Sequence, residues 1–258
     1  LITGNANVRA AARDYERYSS DLQGDADVRD YKQLPLEVDP PLHTDIRALI
    51  APWFTKDSLA KHEGEFTDII TALVAKAKAQ GEVEVVFDLA LPMIVQCLGV
   101  VFGRPQDVDE WYSWGPDTWI TDEDGIRHGD HLDRYLKKTF DELDAHPTDD
   151  LFGQVNRAEL DGRPLTRLEK NGIANLVLAG GRDTVVKLVC GSLSYLAHND
   201  KLRASLAGNR DAIPGFITEM VRFLSPLPMM HRVDKQETTD PENPSFVWLS
   251  FISANHDE

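Results

Sequence analysis

The segment from Leu176 to Val186 reads "LVLAGGRDTVV" and places two glycines inside a stretch of otherwise helical pattern. Apolar residues flank two adjacent glycines, which are followed by an arginine, an aspartate and a threonine. A glycine inside a helix costs about 1 kcal/mol relative to alanine. It also removes a Cβ atom, so that another group can lie close to the backbone. Gly180 and Gly181 therefore indicate either a site for a flat bound group or a close contact between helices.

The polar residues after the glycines sharpen these two alternatives. Thr184 follows Gly180 by four positions, so its hydroxyl can compete for the Gly180 carbonyl and open the helix locally. Asp183 adds a group that exchanges protons. Together they predict a proton-delivery site that faces a bound group. A crossing of two helices at small residues, with Asp183 and Thr184 hydrogen-bonded locally, explains the same pattern, and the residues alone leave both interpretations open.

The surrounding sequence predicts one mostly helical domain over residues 1–258, with a small β component near its end. Thr166 and Glu169 form a T-x-x-E capping box, and the helical pattern continues from there to about Asn199. At 1.5 Å per residue this single central helix would be about 50 Å long. Further helices are predicted in "DPPLHTDIRALIAPWF" with Asp39 as N-cap, "TKDSLAKHEGEFTDIITALVAKAKAQG", "VVFDLALPMIVQCLGVVFG", "HLDRYLKKTFDELDAH" and "RDAIPGFITEMVRFLSP", and a strand only in "SFVWLSFIS".

Composition excludes some classes of function. The formal net charge is −16, which argues against a nucleic-acid groove because such a groove needs a basic stripe. No apolar run is expected to reach the roughly 18 residues of a membrane span, and no signal peptide is recognisable. Cys97 and Cys190 both lie in apolar helical stretches, which predicts reduced core residues and a cytoplasmic protein.

Three short motifs bring together charged residues at helical or turn positions. His43 and Arg47 lie four apart, so that two donors on one helix face could bind a carboxylate or a phosphate, although an unliganded surface pair is commoner. Glu219 and Arg222 lie three apart, and the periodicity of their helix favours an exposed ion pair. Arg232 follows a proline-rich turn. A metal site is not expected at "HGDH", because no further ligands recur at binding spacing.

Taken in order, these motifs resemble the bacterial cytochrome P450 family of haem-thiolate monooxygenases. The sequence shows an Asp-Pro-Pro-x-His-x-x-x-Arg helix start, then A-G-G-x-D-T, then Glu-x-x-Arg, then "LSFISANHDE". The resemblance extends over essentially all 258 residues, and "GGRDTVV" is most similar to the class that includes the camphor hydroxylase. It implies a mainly α, incomplete cytochrome P450 fold with one long central helix.

The resemblance also implies a role for each matching residue. Asp183 and Thr184 correspond to the acid and alcohol that deliver protons to dioxygen. Gly180 and Gly181 correspond to the place where the central helix passes over haem b. The remaining implied sets are His43, Arg47 and Arg232 at the haem propionates, Leu176, Ala179, Val185 and Leu227 in the substrate pocket, and Glu219 and Arg222 in a buried structural network.

The sequence departs from the family in one important respect. The family's iron is held by a cysteine in a loop like F-x-x-G-x-x-x-C-x-G, after the Glu-x-x-Arg helix, and no such loop occurs before Glu258. Cys97 precedes Leu98 and Gly99 but lies far upstream in an apolar helix, and Cys190 lies on the central helix itself. We therefore expect a chain truncated at both ends, without its axial cysteine, that alone is haem-free or not thiolate-ligated.

The function expected of the intact protein is hydroxylation of an apolar small molecule with dioxygen and electrons from a ferredoxin or flavoprotein. The main alternative is a haem-free helical binding module or a degenerate homologue. In that case Trp111, Tyr112, Trp114 and Trp119 could form a contact surface, although core packing or a lid over a pocket is the favoured interpretation. A haem-thiolate isomerase or dehydratase is a third possibility, against which the Asp183–Thr184 pair argues.

Overall fold

A computed structural model describes residues 1–21, 30–115, 120–121, 127–128, 130–240 and 243–257 of the chain. Trp119 lies outside these described residues. Contacts divide the chain into two compact units. The central unit is Asp25–Asp183, and the terminal unit combines Leu1–Gly24 with Thr184–Glu258. The single domain over residues 1–258 therefore stays a prediction.

The central unit is built from helices, as the periodicity predicts. Its helices are α2 (Leu42–Ile50), α3 (Lys56–Ala60), α4 (Glu63–Gln80), α5 (Leu91–Phe102), α6 (Val108–Ser113), α7 (Asp130–Ala145), α8 (Leu151–Arg157) and α9 (Arg167–Gly180). Two short antiparallel pairs accompany them, β2 (Ile120–Thr121) with β3 (Arg127–His128) and β4 (Glu159–Leu160) with β5 (Arg163–Pro164).

An aromatic cluster forms the core of the central unit. The centroid of the Phe102 ring lies 6.2 Å from that of Trp111 and 5.8 Å from that of Phe152. The ring centroids of Trp111 and Tyr135 lie 5.9 Å apart. Trp111 is 0% exposed, so it packs in the core and is not available as a contact surface. Edge-to-face pairs of this kind add to the free energy gained by burying the rings.

Local signals at helix ends were largely correct. The Thr55 hydroxyl accepts a hydrogen bond from the Ser58 N–H, and Gly81 ends α4 in the left-handed conformation. The prediction for Asp39 was wrong. Helix α2 begins at Leu42 with Pro41 as its N-cap residue, and no side chain caps it.

The most apolar segment of the described chain is Val85–Phe102, a π-helical turn (Val85–Ala90) followed by α5. Its 18 residues have a mean hydropathy of 2.2, enough by length and composition to cross a membrane. The sequence-based expectation counted uninterrupted apolar runs, and Asp88 interrupts this one. Since α5 buries Leu91, Ile94, Val95 and Phe102 within the central unit, its composition is equally that of a soluble protein's core helix.

In its described residues, the terminal unit combines α-helices with a three-stranded sheet. The helices are α1 (Asn5–Arg13), α10 (Asp183–Ala197, whose first residue belongs to the central unit), α11 (Asp200–Gly208), α12 (Ile213–Leu224) and α13 (Phe251–Asn255). The strands are β1 (Tyr18–Ser19), β6 (Met229–Asp234) and β7 (Phe246–Ser250), antiparallel in the order β1-β6-β7. Tyr18 pairs with Asp234, and Met229 pairs with Ser250.

Two features of the terminal unit differ from the sequence-based expectation. The predicted strand ends at Ser250, whose hydroxyl accepts the Ser253 N–H and starts α13. Strand β6 was not predicted, because its sequence, MMHRVD, lacks the β-branched and aromatic content of β7. Between α10, α11 and α12 lies a cavity of about 600 Å³ with an almost entirely apolar lining, including Val185, Leu188, Leu206 and Phe216.

Candidate functional site

The glycine-rich stretch folds as the end of α9, a turn, and the start of α10. Helix α9 begins with the predicted capping box, in which Thr166 accepts the Glu169 N–H. It ends at Gly180, and the Arg182 N–H then donates to the Ala179 carbonyl at 3.2 Å. This i to i−3 bond tightens the last turn. The structure thus divides the predicted 50 Å helix in two, at the place where the sequence predicted a local opening.

The two glycines have different surroundings. A Cβ atom on Gly180 would make only an ordinary van der Waals contact, with Leu176 Cδ1 at 3.8 Å, and Gly180 is exposed. A Cβ atom on Gly181 would lie 3.2 Å from Leu98 Cδ2 and 3.1 Å from the Val177 carbonyl oxygen. Gly180 therefore fits the predicted space for a bound group, whereas Gly181 fits the alternative of close packing, here against α5.

Asp183 and Thr184 are the first two residues of α10, and both side chains are half-buried. A carboxylate in the first turn of a helix interacts favourably with the N–H groups of that turn. The backbone order of Gly180, Asp183 and Thr184 places an acid and an alcohol directly after the open position. Their role in proton delivery stays a prediction.

Sequence reasoning missed Arg182, which is 0% exposed. Its Nη1 donates to the Trp111 carbonyl at 2.8 Å, and its Nη2 donates to the Gly115 carbonyl. The guanidinium carbon lies 5.6 Å from the centroid of the Trp114 ring. An arginine between apolar and small residues of a buried helix was the available signal, since such a charge has to find partners in the interior.

The residues assigned to the haem propionates carry side chains suited to an anion. His43 and Arg47 lie on α2, half-buried and exposed respectively. Within the described part of the chain, neither side chain has a hydrogen bond or ion pair. Arg232 lies on β6, half-buried, and donates to the His231 carbonyl at 2.8 Å. Because these residues belong to both units, their common site stays a prediction.

The four predicted pocket residues are likewise divided between the units. Leu176 and Ala179 are half-buried on α9. Val185 is 38% exposed and lines the cavity between α10, α11 and α12, while Leu227 is 43% exposed beyond α12. The predicted pocket therefore stays a prediction.

The Glu219–Arg222 pair forms as helical spacing predicts. Arg222 Nε and Nη2 donate to the two carboxylate oxygens at 2.8 and 2.6 Å, and Nη1 reaches the Asn255 carbonyl at 2.5 Å. Arg222 holds the pKa of Glu219 below its usual range. The Arg222 and Glu219 side chains are 44% and 57% exposed, so the structure does not show the burial that the resemblance implied.

Cys97 does not have the setting of a metal-ligating thiolate. Cys97 lies on α5 and Cys190 on α10, and both are half-buried without a disulfide. Burial raises the pKa of the Cys97 thiol, which disfavours the thiolate form that binds iron. Among the described residues, no group of three or more His, Cys, Asp or Glu side chains could hold a metal ion.

Comparisons with known proteins agree on one family. No family model matches the chain. It is 27% identical to cytochrome P450 109 of Bacillus spizizenii and 30% identical to cyclomarin C epoxidase of Salinispora arenicola. Each alignment covers 86% of this chain, and the chain spans about 60% of the length of these relatives.

A solved structure extends this agreement to three dimensions. A carbohydrate-active P450 superposes with a TM-score of 0.90 and 31% identity, over 99% of this chain and 70% of that one. The helical content, the small amount of sheet and the partial coverage match an incomplete form of that fold. The chain therefore belongs to the bacterial cytochrome P450 family.

Proposed function

We propose that the whole protein is a haem-dependent monooxygenase and that the Gly180–Thr184 segment is the oxygen side of its active site. The observation that carries the proposal is the space at the exposed Gly180, with Asp183 and Thr184 three and four positions further along the chain. A packing glycine would have close neighbours, as Gly181 does. The family and the open backbone together favour the bound-group interpretation over the helix crossing.

The cofactor proposed for the intact protein is haem b, which supplies the iron centre for dioxygen reduction when bound. His43, Arg47 and Arg232 would bind its propionates, because imidazole and guanidinium donors pair well with carboxylates. Gly180 would leave room for its face, whereas Gly181 packs against Leu98. Neither Cys97 nor Cys190 is proposed as its axial ligand, so this chain alone should not bind haem through a thiolate.

The side chains of this chain would act on protons. Thr184 would donate a hydrogen bond into the space beside Gly180, and Asp183 would exchange protons with solvent and pass them to that hydroxyl. In the haem-loaded full-length protein, Thr184→Ala should divert electrons from product to peroxide. Unchanged product per electron would remove Thr184 from the proton path. Asp183→Asn should lower kcat more than it weakens substrate binding, and an equal loss in both would indicate packing.

The substrate is proposed to be an apolar small molecule that contacts Leu176, Ala179, Val185 and Leu227. A carbohydrate is the second candidate, because a carbohydrate-active P450 is the structure of 31% identity that superposes on nearly the whole chain. Spectral titration of the haem-loaded protein with an apolar compound and with a sugar would separate the two. Electrons would come from a ferredoxin or flavoprotein in the cytoplasm.

The alternative is a haem-free helical binding module. Titration with haem separates the two proposals. A binding module should take up no haem, even when the protein is expressed from the longest reading frame that contains this sequence. For this chain alone, we expect the reduced carbon-monoxide difference spectrum to lack the thiolate-ligated Soret band. Such a band from this polypeptide would contradict the exclusion of Cys97 and Cys190.

A further inference from the structure

The end of α6 binds a side chain that is remote in sequence. At the C-terminus of a helix the last carbonyls have no partner within the helix. Gly115 follows α6 with a φ of 77°, and the Trp114 N–H reaches the Trp111 carbonyl only at 3.4 Å. Arg182 supplies the stronger donor, because its Nη1 lies 2.8 Å from the same Trp111 carbonyl and its Nη2 binds the Gly115 carbonyl.

The chemistry of this contact suits arginine in particular. The negative end of the helix dipole attracts a cation, and the Trp114 ring lies within cation–π range of the guanidinium. A planar fork with several N–H donors reaches two separate carbonyls at once, which a lysine ammonium does less well. The acceptors are backbone carbonyls, so protonation does not weaken the contact as the solution becomes acidic.

The anchor on the α6 side is rigid. Trp111 is 0% exposed and packs edge-on against Tyr135 and Phe102 in the aromatic core. Arg182 is the residue between the last turn of α9 and Asp183, the first residue of α10. The guanidinium therefore ties the turn at Gly181–Arg182 to the core of the central unit.

We propose that Arg182 is a positioning residue for Asp183, holding the turn between α9 and α10 so that the carboxylate stays beside the open backbone of Gly180. Arg182 acts through the backbone and does not itself contact substrate or cofactor. The inference rests on the proposed function, because it concerns the geometry of the proposed proton donor. It assigns a role to the arginine of the "GGRDT" motif that local helical pattern does not provide.

The experiment compares Arg182→Lys and Arg182→Gln with Arg203→Lys in the full-length protein. Arg203 is a matched control, because it also donates to a carbonyl near a helix end, that of Leu196 at 3.0 Å, but is 54% exposed. Amide hydrogen exchange in the haem-free protein should become at least about tenfold faster at residues 181–185 in both Arg182 variants. The Arg203 variant should leave it unchanged.

The second measurement is kcat of the haem-loaded protein, in the presence and absence of Asp183→Asn. Each Arg182 variant should lower kcat in the wild-type background with KM unchanged, and should lower it no further in the Asp183→Asn background. Unchanged exchange at 181–185, or losses that add to that of Asp183→Asn, would overturn the positioning role. If Asp183→Asn itself has no effect, the proposed function of Asp183 fails, and the positioning role fails with it.

Discussion

Two arginines of this chain, each in a motif of the family, have opposite environments. Arg182 lies in the "GGRDT" motif and is 0% exposed, with backbone carbonyls as its acceptors. Arg222 lies in the "EMVR" motif, is 44% exposed, and binds the carboxylate of Glu219 three residues away. The arginine expected to be buried is at the surface, and the one without an assigned role is in the core.

The difference shows that motif spacing predicts local partners and not burial. Two side chains three residues apart on a helix can contact each other whether that face is buried or exposed. The sequence therefore predicts the Glu219–Arg222 contact. The acceptors of Arg182 lie 71 and 67 positions away. No helical or strand periodicity connects residues at that separation.

The largest expected effect comes from removing the buried cation. Arg182→Met would leave the Trp111 and Gly115 carbonyls buried without their donor, so the free energy of unfolding should fall by about 2–4 kcal/mol. Arg222→Met removes an exposed pair, which is strongly screened by solvent, and should change it far less. Urea unfolding followed by tryptophan fluorescence measures both variants. Equal destabilisation by the two would show that burial does not separate these arginines.

The adjacent glycines extend the comparison to backbone packing. Gly181→Ala places a Cβ atom 3.2 Å from Leu98 Cδ2, so it should destabilise the protein by about 1–3 kcal/mol. Gly180→Ala meets open space and should stabilise the haem-free chain by up to about 1 kcal/mol through helix propensity. Thermal unfolding of the two variants tests this. Destabilisation by Gly180→Ala would mean that its surroundings are closed.

The last comparison concerns two ion pairs that differ in solvent exposure. Arg163 hydrogen-bonds Glu169 and lowers the pKa of that carboxyl from 4.5 to about 2. Because the folded-state pKa is depressed, the stabilisation is present above about pH 4.5 and is lost as the pH falls toward 2. Glu169→Gln should remove about 1–2 kcal/mol of it at neutral pH, after allowance for the exposure of Arg163. Glu219→Gln should leave the pH dependence of the free energy of unfolding nearly unchanged between about pH 4.5 and 2. An equal decrease of that dependence in both variants would contradict the role of burial.

Local chemistry made much of the fold predictable. The apolar spacing of Leu132, Leu136, Phe140 and Leu143 predicted the buried face of α7, and all four are at most 2% exposed. The caps at Thr55 and Thr166 use hydrogen bonds within four residues, so the sequence shows them directly. Strand β6 and the burial of Arg182 depend on partners far along the chain.

The candidate site was likewise predictable where it depends on neighbouring residues, and not where it depends on distant ones. The order of Gly180, Asp183 and Thr184 identified a place where helix, space and proton chemistry coincide. Which glycine faces space and which faces Leu98 depends on the approach of α5, about 80 residues earlier. The acceptors of Arg182, in the turn between α9 and α10, are equally distant in sequence.

The apolar cleft between α10, α11 and α12 has a practical consequence for ligand screening. Its volume of about 600 Å³ and its apolar lining can accommodate fluorescent dyes, detergent tails and other apolar solutes. A test compound can therefore bind this polypeptide at a second site, the cavity between these three helices, which Val185 helps to line. Competition with an environment-sensitive dye should accompany every titration, so that non-specific partitioning is subtracted before affinity is ascribed to the space beside Gly180.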